Sequence, residues 1–190
     1  NMVLFDLDGV ITSEERYWDA AALTIYEHLS PCEIDPNRVT ANIKEIRSNV
    51  FCGDKMLRYL KKVGINSNWD VVYIIISAAL IIRAEKDFGA IYEYLKNLNK
   101  DAMALFKYFN SKSPVGKRGS DCYYRLVHTF QEWYLGDELF RRQWHKSPHL
   151  DGKPGLLQGE EPVVSIQTIR KVLKTLKEFG LSLGIGTGRN

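Results

Sequence analysis

The segments that have the pattern of β-strands lie at opposite ends of this chain, and this separation limits the folds that it can adopt. Residues 2–7, MVLFDL, form an apolar run that is followed by Asp-Gly, as at the end of a short buried strand. Residues 181–186, LSLGIG, form a similar run, and apolar residues at helical spacing over 165–179 precede it. We therefore expect one parallel sheet whose two strands are separated by a long insertion.

The insertion has the pattern of helices. Residues 13–150 show almost no alternation of apolar and polar side chains. Breakers such as Gly53, Gly64, Gly89 and Gly136 separate helical segments, which we predict near 14–29, 36–48, 54–63, 68–86, 89–98, 100–110, 119–135 and 137–146. The β-branched stretch 70–76, DVVYIII, is compatible with a strand, but its length and neighbours favour a buried helix.

Composition excludes several classes of protein. Of the 190 residues, 45% are apolar and 26% are charged, which are values of a globular chain and not of a disordered or collagen-like one. Twenty-six Lys and Arg against 23 Asp and Glu give a net charge of only +3, which does not predict nucleic-acid binding. The longest apolar stretch, 71–82, is shorter than the ~20 residues of a membrane span. Three cysteines without a CxxC pair suit a reducing compartment, so we expect a cytoplasmic protein with no membrane partner.

Two carboxylates follow the first strand directly, in the sequence Phe5-Asp6-Leu7-Asp8-Gly9. Past the end of a strand the chain curls, and Gly9 permits a tight turn that directs both acids to one cavity. Paired carboxylates there attract Mg²⁺, and one of them is able to act as a nucleophile. The alternative is an ordinary surface turn of the Asp-Gly type.

A second polar loop, Gly186-Thr187-Gly188, follows the second strand. A Thr hydroxyl and loop amides at a strand end form a cradle for an anion. A plain connection between strand and helix is the alternative. Because parallel strands end at the same edge of a sheet, the two loops are expected side by side.

These motifs resemble those of the haloacid-dehalogenase-like (HAD) superfamily. DLDGVIT at 6–12 resembles its first motif, GIGTGRN at 184–190 its second, and the helix KVLKTLKEFG before the second motif is also typical. The resemblance covers the two ends of the chain and implies an α/β fold. It divides the chain into a partial Rossmann-like core, residues 1–12 and 151–190, and a helical cap domain, residues 13–150.

The resemblance also implies roles for individual residues. Asp6 would be the nucleophile that forms an aspartyl-phosphate, and Asp8 the general acid and base. Asp6 and the main-chain carbonyl of Asp8 would bind Mg²⁺, while Thr187 and the amide of Gly188 would hold the phosphoryl group. Dehalogenases of the superfamily lack the second acid, so Asp8 favours a phosphatase that acts on a small phosphorylated metabolite.

The third and fourth motifs of the superfamily follow the second motif, whereas only three residues follow Thr187 here. We therefore expect the chain to be truncated and residues 1–190 alone to be inactive. Two alternatives stay open, a phosphomutase of the same superfamily and a non-catalytic binding protein with the same fold. No pattern in the insertion identifies the substrate, and none specifies an oligomeric state.

Two further groups of residues are weaker candidates. Lys117 and Arg118 lie in a basic Gly/Pro loop that would close over an anionic substrate, although a solvated loop is the commoner structure. His145 and His149 have the spacing of a metal pair on a helix, but Pro148 lies between them and breaks the helix, which argues against zinc.

Overall fold

Ten α-helices and two short β-strands make up the part of the chain that a computed structural model describes, residues 1–30 and 34–186. The strands are β1 (Met2–Asp6) and β2 (Ser182–Gly186). The helices are α1 (Glu15–Leu29), α2 (Pro36–Ala41), α3 (Ile43–Val50), α4 (Lys55–Lys62), α5 (Asn68–Ile82), α6 (Phe88–Leu98), α7 (Ala102–Lys112), α8 (Asp121–Leu135), α9 (Asp137–Trp144) and α10 (Ile166–Glu178). Among the described residues, no helix is long and apolar enough to cross a bilayer.

The chain divides into two compact units. A discontinuous unit contains residues 1–16 and 157–190, and a helical unit contains residues 17–156. The predicted borders at 12, 13, 150 and 151 lie close to these divisions. The interpretation of the insertion as a cap over an active site stays a prediction.

The helical unit is built around α5, which is apolar on all sides. Its residues from Asp70 to Ala79 are buried, and it packs against α6, α7 and α8. A helix that is apolar all round requires neighbours on every face, and this explains why its β-branched residues stay helical. The stretch 70–76 is therefore a buried helix, as predicted.

Side-chain caps define where several helices begin. The Asp35 carboxylate accepts hydrogen bonds from the amides of Asn37 and Arg38, and Asp87, Asp101 and Ser120 cap α6, α7 and α8 in the same way. Such caps satisfy amides that have no partner within the helix. The predicted helix 36–48 is two helices, α2 and α3, because the chain turns at Asn42.

The discontinuous unit contains a two-stranded parallel sheet. β1 pairs with β2 in a register that runs from Met2 opposite Ser182 to Asp6 opposite Gly186, and α10 packs beside β2. A Cβ at Gly184 would lie 2.7 Å from Leu4 Cδ2, so a larger residue there would displace the exposed Leu4 side chain.

The prediction of an α/β fold with a Rossmann-like core is wrong for this structure. The described residues are mostly helical, and their single sheet has two strands, with α10 as the helix beside it. A doubly wound fold requires several parallel strands covered by helices on both faces. The prediction failed because the Rossmann-like core was implied by the family resemblance, whereas the residues themselves have the pattern of only two strands.

Candidate active site

The carboxyl ends of β1 and β2 lie next to each other, because the two strands are parallel and in register. Asp6 is the last residue of β1 and is opposite Gly186, the last residue of β2. The pairing continues one step further, since the Leu7 amide donates to the Gly186 carbonyl over 3.3 Å. Groups that follow the two strands therefore start from the same edge of the sheet.

A tight turn carries Asp8 immediately beyond this edge. Gly9 has a φ of +73°, a value that side chains disfavour. The amides of Ile11 and Thr12 donate to the Leu7 carbonyl over 3.0 and 2.9 Å, and the Gly9 amide donates to the Thr12 carbonyl over 2.7 Å. Because the backbone of the turn is paired internally, the position of Asp8 relative to β1 is fixed.

A second segment of the same unit anchors the turn. The Ser13 amide donates to the Glu161 carbonyl over 2.9 Å, and the Val163 amide donates to the Ile11 carbonyl over 3.0 Å. The turn is therefore held at β1 and again at residues 161–163. Such support keeps a short loop in one conformation, which a site for group transfer requires.

Asp6 is exposed and Asp8 is half-buried, so both carboxyl groups lie within reach of solvent. A third acid, Glu14, lies against the same turn, since a methyl group on Gly9 would be 3.8 Å from Glu14 Cδ. The sequence identifies Glu14 only as an acid near the start of α1. Its approach to the turn has no pattern of its own in the sequence.

The carboxylates of Asp6 and Asp8 are hard oxygen donors, as Mg²⁺ prefers. Within residues 1–30 and 34–186, no group of three or more His, Cys, Asp or Glu side chains is arranged to hold a metal ion. In phosphoryl-transfer enzymes, however, Mg²⁺ is commonly held by one or two carboxylates together with the substrate phosphate. The donor set fits a cation of this kind, which is shared with its substrate.

The predicted phosphate-binding residues, Thr187 and Gly188, lie outside the described residues. They follow Gly186 directly in the sequence. Their assignment stays a prediction.

Lys117 and Arg118 belong to the helical unit, where the Arg118 guanidinium already has a partner. Its Nε and Nη2 atoms donate to the two oxygens of Asp70 over 2.6 and 2.8 Å, and the Tyr123 hydroxyl donates to the same carboxylate over 2.8 Å. The hydrogen bond to Asp70 raises the pKa of Arg118, and burial raises that of Tyr123. In this structure the Arg118 side chain therefore anchors its loop to the buried start of α5, whereas Lys117 is exposed.

No pattern in the sequence indicates the buried ionic cluster of the helical unit. The Lys153 Nζ atom lies 2.6 Å from Glu132 Oε2 and 3.0 Å from Glu27 Oε2, and neither the Lys153 nor the Glu132 side chain is exposed to solvent. The indole of Trp133 donates to Glu27 over 2.7 Å, and Nδ1 of His149 lies 2.6 Å from Glu132 Oε1. These residues are far apart in the chain, and a charged residue within a helix-patterned segment is ordinarily solvated.

Comparisons with known proteins give one similar structure. No protein-family model matches the chain, and no curated protein matches it. An X-ray structure of a target of the Northeast Structural Genomics Consortium is 28% identical, with a TM-score of 0.73 over the whole of this chain. The chain spans 63% of the length of that protein. The backbone of the present chain is therefore similar to a backbone that has been determined experimentally.

Proposed function

We propose that this chain carries the nucleophile and the general acid of a Mg²⁺-dependent phosphohydrolase that acts on a small phosphorylated metabolite. The observation that supports the proposal is the register of the sheet, in which Asp6 is opposite Gly186 at a common edge. The resemblance of residues 6–12 to the first motif of the HAD superfamily adds the roles of the two acids.

The proposed reaction has two steps. A carboxylate oxygen of Asp6 attacks phosphorus, an aspartyl-phosphate forms, and the bond from phosphorus to the leaving oxygen breaks while Asp8 protonates that oxygen. Asp8 then takes a proton from water, the water oxygen attacks phosphorus, and the Asp6 carboxylate is released with inorganic phosphate. The net reaction converts a phosphate monoester and water into an alcohol and phosphate.

When bound, Mg²⁺ would neutralise charge on the phosphoryl oxygens, and Asp6 and Asp8 are the residues of this chain that would hold it. The chain's own contribution is positional. The paired backbone of the turn from Leu7 to Thr12 fixes Asp8 relative to Asp6, and orientation of this kind supplies much of the catalysis in phosphoryl transfer.

The test measures hydrolysis of an aryl phosphate with Mg²⁺ by the natural full-length gene product that contains this sequence. We expect Asp6→Asn to abolish turnover and to abolish covalent trapping of radiolabelled phosphate, with an unchanged circular dichroism spectrum. Glu161→Gln is the matched control, because Glu161 is an exposed carboxylate of the same unit and its substitution also removes one negative charge.

Turnover by Asp6→Asn at the wild-type rate would exclude Asp6 as the nucleophile. Transfer of the phosphoryl group to a sugar phosphate instead of water would show that the protein is a phosphomutase and not a hydrolase. Binding of a phosphorylated compound by a wild-type protein without turnover would favour the non-catalytic protein.

A further inference from the structure

A groove in the helical unit is lined by several basic side chains. It lies along α8 and beside the segment that follows α9, and its volume is about 690 Å³. Its charged and titratable side chains are Asp121, Arg125, His128, Lys146 and His149. A cavity of this size accommodates a small organic ligand, since such sites are commonly of ~300–1,000 Å³.

The two permanent cations of this groove have no carboxylate partner. Within residues 1–30 and 34–186, neither Arg125 nor Lys146 has an Asp or Glu oxygen within the 4.0 Å distance of an ion pair. Arg125 Nη2 instead lies 2.9 Å from Cys122 Sγ, and Lys146 Nζ lies 3.4 Å from His128 Nε2. Neither contact neutralises a positive charge, and Asp121 is the one carboxylate among the residues that line the groove.

The ionic cluster beneath the groove fixes the His149 ring. Glu132 Oε1 accepts a hydrogen bond from the His149 amide over 3.0 Å and lies 2.6 Å from Nδ1. The other Glu132 oxygen is held by buried Lys153 over 2.6 Å. A carboxylate that holds one ring nitrogen in this way sets the orientation of the ring and leaves Nε2 for a partner outside the cluster.

His128 lies close to two basic side chains, Lys146 and His149. Burial lowers its pKa, the charges of Lys146 and His149 lower it further, and Glu132 acts in the opposite direction. The rings of Phe140 and Trp144 cover other sides of the imidazole. An anion between these cations would relieve their repulsion and would favour the protonated form of His128.

We propose that this groove is a binding site for a small phosphate-bearing molecule, held by Arg125, Lys146, His128 and His149. The guanidinium of Arg125 would supply paired donors to the phosphate oxygens, with Lys146 as a second cation. The exposed ring of Tyr124, which lines the same groove, would contact the organic part of the ligand. The site lies wholly in the helical unit and does not depend on the function proposed for Asp6 and Asp8.

Titration of the full chain with inorganic sulfate, followed by proton NMR of the histidine rings, tests this inference. Sulfate is the first probe because its charge stays constant over the pH range in which histidine titrates. We expect the ring signals of His128 and His149 to shift and saturate at concentrations below about 20 mM, while those of exposed His145 stay in place. Inorganic phosphate should compete for the same site.

Two variants that each remove one arginine distinguish a specific anion-binding site from non-specific electrostatic attraction. Arg125→Ala should weaken sulfate binding about tenfold or more, because a charge-assisted hydrogen bond is lost. Arg142→Ala should leave binding within about twofold, because Arg142 is an exposed residue of α9 that does not line the groove, and screening reduces its effect. The affinity of the wild-type protein should rise as the pH falls from about 7.5 to about 5.5, because the bound anion favours proton uptake by His128.

Equal losses in Arg125→Ala and Arg142→Ala would overturn the proposal, as would histidine signals that do not respond to sulfate or phosphate. Binding of a single-stranded oligonucleotide that is much tighter and falls steeply with salt would also overturn it, because this result describes an extended polyanion surface.

Discussion

Asp8 follows the strand by two residues, and its position rests on backbone hydrogen bonds that converge on the Leu7 carbonyl. A residue fixed in this way is suited to proton transfer, which depends on distance more strongly than binding does. Its role as the general acid is therefore separable from that of Asp6 by experiment.

We expect Asp8→Asn to reduce the rate of phosphate ester hydrolysis by about 10²–10⁴, the usual contribution of general acid–base catalysis. The loss should be smaller for aryl esters with acidic leaving groups, because these leave without a proton. Rates for a series of esters of increasing leaving-group pKa give the measurement. The same loss for every ester in the series would contradict the assignment.

Asp70 shows how the basic loop is tied to the helical core. Its carboxylate is nearly inaccessible and accepts hydrogen bonds from Arg118 and Tyr123. We expect Asp70→Asn to lower the free energy of unfolding by about 2 kcal/mol, since an amide offers no second acceptor to the guanidinium and Arg118 is partly screened by solvent. Urea denaturation gives the measurement.

Lys117→Ala is the control for this prediction. The Lys117 side chain is exposed, so its removal should change the free energy of unfolding by less than about 0.5 kcal/mol. A similar destabilisation by both variants would show that the loop as a whole, and not the carboxylate of Asp70, determines the effect.

Several helix positions were accessible to sequence reasoning because these helices have an apolar face at helical spacing and a capping residue at their start. The capped starts of α6, α7 and α8 illustrate this. The buried ionic cluster was not accessible, because Glu27 and Lys153 are 126 residues apart and come together only through packing. No local pattern distinguishes such a buried acid from a solvated one.

Two helices also carry histidines whose surroundings lower their pKa. Desolvation by neighbouring groups is the main cause of the lowered pKa of His28 in α1, although part of the residue is exposed, and the charges of His149, Lys153 and Arg125 add to it, against Glu132. The pKa of His128 in α8 is also lowered. Because the unfolded chain binds these protons at a higher pH than the folded chain, stability is lost as the pH falls below 6.5, the ordinary histidine value.

We therefore expect the free energy of unfolding to fall between about pH 7 and about pH 5, and His28→Gln to reduce this slope. His145→Asn is the control, since His145 is exposed and its left-handed backbone suits asparagine. Urea denaturation at several pH values provides the comparison. A slope that is unchanged in His28→Gln would show that the lowered pKa of His28 does not cause it.

At the scale of the whole molecule, the fold class was the main error of prediction. The apolar periodicity identified β1, β2 and their parallel relation, all of which the structure contains. The Rossmann-like core came from the family resemblance alone. Of the predicted site, the relation of Asp6 to the end of β2 followed from the sequence, whereas the approach of Glu14 did not.

The two-stranded sheet leaves large apolar side chains in contact with solvent. Met2, Leu4 and Ile185 are 63%, 65% and 64% exposed, and Phe179 is 76% exposed. Exposed apolar side chains and open strand edges favour association. We expect residues 1–190 to self-associate as their concentration rises, which analytical ultracentrifugation would detect.

Leu4→Lys should shift this equilibrium towards the monomer, because it places a charge on the exposed sheet. Met103→Lys is the matched control, since Met103 is 82% exposed in α7 of the helical unit. A monomeric wild-type chain, or an equal effect of the two substitutions, would exclude the sheet as the associating surface.

The register of the sheet also has a consequence for the synthesis of the protein. Met2 pairs with Ser182, so the first strand leaves the ribosome about 180 residues before its partner does. Most of the helical unit is synthesised in that interval, and its helices form from contacts that are already available. During translation, MVLFD is therefore an unpaired apolar segment of a nascent chain whose helices have begun to fold. Chaperones that recognise short extended apolar peptides can bind this segment throughout the interval before β2 is synthesised.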